Sequence, residues 1–421
     1  MKRAALPSNQ YSSGDPLNKG FNKIEAGQFI EFCVELDSQD DRMASPSDLR
    51  YIPQIDQTLW NPVPVYDSRM VVANDVNAFM QSGRTVDNKG WTKLYQEIVD
   101  RAKKTPPPGG WTPERLAKDA RFNGFGPYQM AWLLYEGRGA NAGSYAIAIR
   151  GTVLSATPSV VEDAVFHPVE ASRFLSQYVS FGSFNDASLH SGFAHGTFSL
   201  LLDSHYGVLQ ALNSPRINIQ PHARLYIVGH SQGAAMATLT HAFFHYAMMS
   251  ATANNDVFGL YGKDFKLKSY VFAQPKPGNF VFSADFASIT QTADNALVIN
   301  NDIDPVPQVP LTLQDLADLN GDLPGTSPVG RIVHYVGGIG SGLRGFFGRI
   351  AEVGTKYDDK GYGDYYNYDK LKPLGSDTTA SSWNFVPAGH VVMVYGTPGD
   401  PKDAFLQHHA WTYRNLIKSQ L

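Results

Sequence analysis

The sequence predicts an α/β fold in which a mostly parallel central sheet is covered by helices on both faces, preceded by an N-terminal accessory region. Three observations predict it. Strand-like apolar segments alternate with helix-length segments from about residue 126 onward. A glycine-framed turn joins one of those strands to a long helix. Finally, 421 residues with 43% hydrophobic and 18% charged content supply enough apolar surface for a core on each side of a sheet.

The elements follow in order. Residues 1–125 read as an accessory region, broken by turn clusters at 46–48 and at Lys103-Lys104-Thr105-Pro106-Pro107-Pro108-Gly109-Gly110. Between these, 91–102 has helical spacing, with Leu94, Ile98 and Val99 on one face. The second unit, 126–421, opens with a strand at Ser144–Ile149, then a helix over 192–212 and a short apolar strand at 224–228. A long helix at 234–249 and strands at 269–272 and 296–299 complete the alternation. The Tyr- and Gly-rich run 357–368 reads as a surface loop or hairpin.

Composition excludes several functions. A net charge of -4 gives no electrostatic reason to expect a nucleic-acid partner. No apolar run reaches the roughly 18 residues that span a bilayer, so no transmembrane segment is expected. Residues 1–14 are polar and lack the apolar stretch of a secretory signal. Secretion after signal removal, export by a route without a cleaved signal, and a cytoplasmic location all remain open. Cys33 is the sole cysteine, so an intrachain disulfide and a thiolate metal cluster are both excluded. Its apolar surroundings at 29–34 read as core.

The strongest chemical signal is Gly229-His230-Ser231-Gln232-Gly233, entered from an apolar strand and left through a helix rich in small residues. A hydroxyl lifted onto such a sharp turn is exposed to substrate, and glycines two residues to either side let strand and helix approach closely. The helix N-terminus directs amides toward the oxyanion that forms on attack. Ser231 is therefore the candidate nucleophile.

Four further motifs occur in the order of a known family. Ile149-Arg150-Gly151-Thr152, Leu189-His190-Ser191-Gly192-Phe193, the run Tyr270-Val271-Phe272-Ala273-Gln274-Pro275-Lys276-Pro277-Gly278-Asn279, and Asp304-Pro305-Val306-Pro307 together resemble the class 3 (fungal-type) lipases of the α/β-hydrolase superfamily. The likeness covers about residue 126 to the C-terminus. It implies a serine carboxylic-ester hydrolase that cleaves acylglycerols, with backbone amides of Thr152 and Gln232 forming the oxyanion hole and Asp304 as the orienting acid. Asp302 is a nearby competitor but lacks the x-Val-Pro that follows the family's acid.

For the base, the chain order leaves three histidines. Gln407-His408-His409-Ala410-Trp411-Thr412-Tyr413 resembles the family's terminal histidine pattern and favours His408, with His409 and His390 as alternatives. Gln407 stands where relatives carry an acidic residue. His390 opens an apolar strand and reads as structural, as do His190 and His195. His230 is a packing or oxyanion-side residue.

The resemblance further implies a lid near 153–188, whose apolar residues either cover an acyl groove or pack permanently on the core. The stretch 337–354 reads either as a second mobile segment or as ordinary core. Asp318-Leu319-Asn320-Gly321-Asp322 has alternating oxygen ligands, but Val329 stands where a calcium loop needs its bidentate Glu, so a turn is expected. The expected partners are a lipid ester and, transiently, a lipid–water interface. Neither metal nor organic cofactor is expected. A phospholipase A-type or short-chain esterase on the same scaffold is the nearest rival, and a non-catalytic lipid-binding protein is the rival from another class.

Overall fold

The computed structural model describes residues 20–38, 48–63, 131–152, 168–171, 186–202, 207–256, 258–290, 294–310, 385–399, 403 and 405–421. In chain order its main elements are α1 (Lys23–Ser38), β1 (Trp60–Pro62), β2 (Trp132–Gly137), β3 (Ser144–Ile149), β4 (Pro168–Glu170) and β5 (Ser188–His190). There follow α2 (Ser191–Leu202), α3 (Val208–Leu212), β6 (Arg224–His230), α4 (Gln232–Ser250), β7 (Lys266–Phe272) and β8 (Gly278–Asn279). The last are α5 (Phe280–Thr290), β9 (Ala296–Asn301), β10 (Phe385–Val386), β11 (His390–Val394) and α6 (Ala410–Gln420).

The main sheet has the order β1-β2-β3-β6-β7-β9-β11. From β3 to β11 all neighbours are parallel, and β1 and β2 add an antiparallel edge. A smaller antiparallel sheet runs β10-β8-β5-β4. This is the mostly parallel α/β architecture that the alternation of strands and helices predicts. The helix expected over 192–212 comes as two, with α3 starting after Gly207.

Alternation along each strand divides the core. Leu225 and Ile227 of β6 face one layer with α2, α3 and α4, while Tyr226 and Val228 face the other with α1 and α6. Helix α4 is buried for most of its length, and Ala234, Ala235 and Ala237 let it lie close on β3, β6 and β7. A helix enclosed in this way is apolar around its circumference rather than along one stripe.

Part of the region before the boundary expected at residue 125 packs on the sheet. Helix α1 precedes it, yet Phe29 and Phe32 pack on Tyr226, Tyr270 and Tyr135 of the central sheet. Strand β1 precedes it as well and completes the sheet edge by pairing with β2. The reason is apolar demand: the face carrying Tyr226, Val228, Tyr270 and Phe272 needs cover, and α1 supplies it. Cys33 is buried within that cover. The segments 91–110, 318–322, 337–354 and 357–368 lie outside the described residues, as does most of the expected lid.

Charges lock α1 to the rest. Lys268 Nζ donates to Glu25 Oε2 at 2.7 Å, and Tyr270 Oη donates to the same oxygen at 2.6 Å. Glu31 is buried and accepts from Arg414 Nη1 at 3.3 Å and Lys418 Nζ at 3.1 Å, both on α6, and from the Gln54 amide at 2.9 Å. Replacing Glu31 with Ala strands the buried Arg414 guanidinium. It should lower unfolding stability by about 3 kcal/mol in urea titration, since removing one member of a buried pair leaves an uncompensated charge. A loss below about 0.5 kcal/mol, the size expected of a surface pair, would contradict the clamp.

Candidate active site

Ser231 lies between β6 and α4 with φ 58° and ψ -132°. For a residue with a Cβ this is a strained backbone, costing about 1–3 kcal/mol. Neighbours hold it there. Its amide donates to the Phe272 carbonyl at 3.0 Å, and its carbonyl accepts from the Ala234 amide at 2.8 Å. Two close approaches require glycine. A Cβ on Gly229 would overlap the Gly233 carbonyl, and one on Gly151 would stand 2.7 Å from the His230 carbonyl oxygen and 3.0 Å from Ser231 Cβ. The second brings the main chain leaving β3, with Thr152 next in line, against the serine. Gln232 opens α4 and is buried.

The strand ends bring the remaining groups to the same edge. Beyond β9, Asp304 is fully buried; its Oδ1 accepts from the Val306 amide at 3.0 Å and its Oδ2 from Tyr413 Oη at 2.7 Å. His408 Nδ1 lies 2.9 Å from the same Oδ2, and His408 Nε2 lies 2.8 Å from Ser231 Oγ. Tyr413 also accepts from the Asn301 amide at 3.0 Å, so one phenol ties α6, β9 and the carboxylate together. A carboxylate, an imidazole and a hydroxyl thus form one hydrogen-bonded line, an arrangement able to raise the nucleophilicity of the hydroxyl.

The other candidates lie elsewhere. His409 turns to Asp403, with Nε2 3.2 Å from Oδ2, and stacks on Trp411 with ring centroids 5.5 Å apart. His390 is exposed at the opposite end of its strand, Nδ1 2.9 Å from Asp294 Oδ1. With about 3.3 Å of rise per residue, β11 carries it far from the edge that holds Ser231. Asp302 accepts from the Gly396 amide at 2.8 Å. His190 is buried and stacks on Phe193.

Gln407 has a local explanation. Asn301 Nδ2 donates to its carbonyl at 3.0 Å and to its Oε1 at 2.9 Å, while its Nε2 donates to the Thr397 carbonyl at 2.7 Å. An amide both accepts and donates here; a carboxylate could not donate to Thr397. Sequence reasoning missed this staple and the phenol bond to Asp304, because both join residues about a hundred positions apart. His230 packs beside His408, with ring centroids 4.8 Å apart.

Residues 146–314 match the family described as Lipase (class 3). The secreted mono- and diacylglycerol lipase MDL4 of Malassezia globosa is 31% identical over 166 residues, which are 39% of this chain and 46% of that protein. The chain therefore spans about half the length of this curated relative, at 46%. Among solved structures, M37 lipase overlaps 83% of this chain and 93% of its own at 16% identity and a TM-score of 0.40. Lip2 lipase from Yarrowia lipolytica overlaps 44% and 56% at 18% identity and a TM-score of 0.32.

Two buried histidines make stability fall in acid. Burial, and then the neighbouring His408, hold His230 well below the ordinary 6.5; burial pushes His241, bonded to Ser269 Oγ at 2.9 Å, down to about 3. Below 6.5 the unfolded chain takes up protons that the folded chain refuses. Stability is thus full above that pH and is lost on acidification, by about 1.4 kcal/mol per pH unit for each histidine. Urea midpoints measured between pH 7 and 5 should fall, and His241→Gln should make the fall shallower. An unchanged slope in that variant would contradict the assignment of His241 as buried and neutral.

Proposed function

We propose, from the match of residues 146–314 to the class 3 lipase family, that this chain is a serine ester hydrolase acting on acylglycerols. The observation that carries the reading is the continuous line from Asp304 through His408 to Ser231 Oγ, with contacts of 2.9 and 2.8 Å. His408 takes the Ser231 proton as Oγ attacks the ester carbonyl, while Asp304 holds Nδ1–H and so keeps Nε2 free to accept. The Thr152 and Gln232 amides are the proposed donors to the tetrahedral oxyanion, where a single donor contributes about 3 kcal/mol. The protonated His408 returns its proton to the leaving alcohol. It then activates the water that releases the fatty acid and restores Ser231.

Similarity to a secreted mono- and diacylglycerol lipase supports partial glycerides as substrates and supports export from the cell. Among the described residues, no helix is long and apolar enough to cross a membrane. A lipid–water interface is the proposed meeting place with substrate. Phospholipase A-type or short-chain esterase activity is the second reading, favoured only by a scaffold that leaves acyl and head-group preference open.

Ser231→Ala and His408→Ala should each lower ester hydrolysis by roughly five orders of magnitude, as for members of a catalytic unit. His409→Ala and His390→Ala should retain activity of the wild-type order. Initial rates on mono-, di- and triacylglycerols beside a phosphatidylcholine substrate check both site and specificity. Wild-type rates surviving Ser231→Ala would overturn the mechanism, and a phospholipid preference would replace the substrate.

A further inference from the structure

Acyl transfer on this site uses neither the His230 side chain nor the main-chain carbonyl of His408, yet the two meet. His230 Nε2 lies 2.7 Å from the His408 carbonyl oxygen. A carbonyl oxygen only accepts, so the imidazole carries its proton on Nε2 and donates. The ring is buried, lies over that of His408 at an interplanar angle of 33°, and has Tyr413 edge-on at 5.8 Å. On its far side the Asp37 carboxylate at the end of α1 stands 3.8 Å from Nδ1, beyond hydrogen-bond distance. A buried imidazole whose donor finds a main-chain carbonyl is well satisfied, and breaking that bond would leave a polar group without water.

We propose that His230 is a positioning residue for the base, fixing the main chain of His408 to the residue that precedes the nucleophile. The inference rests on the ester-hydrolase reading. Asp304 holds the imidazole of His408 at Nδ1 and the His408 amide is tied locally to the Phe405 carbonyl at 2.8 Å, so the ring can still shift with its turn. The bond from His230 removes that freedom. Ser231, His230 and His408 then form a closed loop: a peptide bond joins the first two, and hydrogen bonds of 2.7 and 2.8 Å join each to His408. The distance from nucleophile to base is set inside this loop rather than by the long connection between residues 231 and 408. Helix α1 takes part indirectly. Its end walls off the ring of His230, and Glu31 of α1 anchors α6, which begins beside His408. The N-terminal helix, outside the family-matched segment, is on this account part of the frame of the site.

The test compares three variants in the full chain, with steady-state kinetics on a soluble nitrophenyl ester, labelling rates with a fluorophosphonate, and thermal unfolding of each protein. His230→Gln keeps an amide donor near the position of Nε2; His230→Leu fills the space without one; His230→Asn is polar but too short to reach the carbonyl. His230→Leu and His230→Asn should lower kcat by about tenfold to a hundredfold, the effect of an ångström-scale misplacement of a reacting group. KM should stay unchanged, and the labelling rate should fall in parallel. His230→Gln should recover most of both rates. If His230→Leu fails to fold, the contrast between Gln and Asn decides. A wild-type kcat in the Asn or Leu variant overturns the proposal, and so does a Gln variant as slow as the Asn variant. A wild-type protein that neither hydrolyses the ester nor takes the label would instead sink the hydrolase reading itself.

Discussion

The backbone of Ser231 is the constraint on which the rest of this structure depends. A residue with a side chain is held at φ 58°, in a region glycine favours, and it stays there because β6, β7, α4 and the chain leaving β3 converge on it. Such strain persists only where the surroundings over-determine it. Here the nearest surroundings are main chain packed against main chain, at Gly229 and at Gly151. The hydroxyl is presented at the sheet edge at the expense of local stability, and the cores on the two faces of the sheet supply the compensation.

Those cores explain why parts far apart in the chain matter to one site. One face is closed by α2, α3 and α4, and the other by α1 and α6. Helix α6 begins two residues after His408, so whatever fixes α6 helps to fix His408. Its anchors are the buried Glu31, which binds Arg414 and Lys418, and Tyr413, which reaches Asp304 and the Asn301 amide. His408 is therefore held through the adjoining helix, through its own imidazole and through its main chain.

Much of the fold was legible because strand burial leaves a strong local signature. The runs that became β3, β6, β7 and β9 are apolar and short, and the helix after Ser231 announces itself with small residues. In the N-terminal part the run 29–34 read as core, but what it packs on was not legible. Phe29 and Phe32 on α1 have partners more than a hundred residues away, and a strand of three residues such as β1 carries almost no periodicity. At the site, Ser231, Thr152, Gln232 and Asp304 stood out because each sits in a motif beside a strand end. Spacing favoured His408 over His409 and His390 but left the alternatives open, since the choice depends on which way two adjacent side chains leave one turn. The structure turns His408 toward Ser231 and His409 toward Asp403. The roles of Gln407 and His230 depend on contacts with Asn301, Thr397 and the His408 carbonyl, which no local pattern encodes.

The most direct test of the whole arrangement is a crystal structure of the protein inactivated with an alkyl phosphonate, whose adduct mimics the tetrahedral intermediate. The account predicts phosphorus bonded to Ser231 Oγ, the phosphoryl oxygen within hydrogen-bond reach of the Thr152 and Gln232 amides, and His408 Nε2 facing the ester oxygen. A phosphonate on any other residue, or a phosphoryl oxygen turned away from both amides, would contradict it.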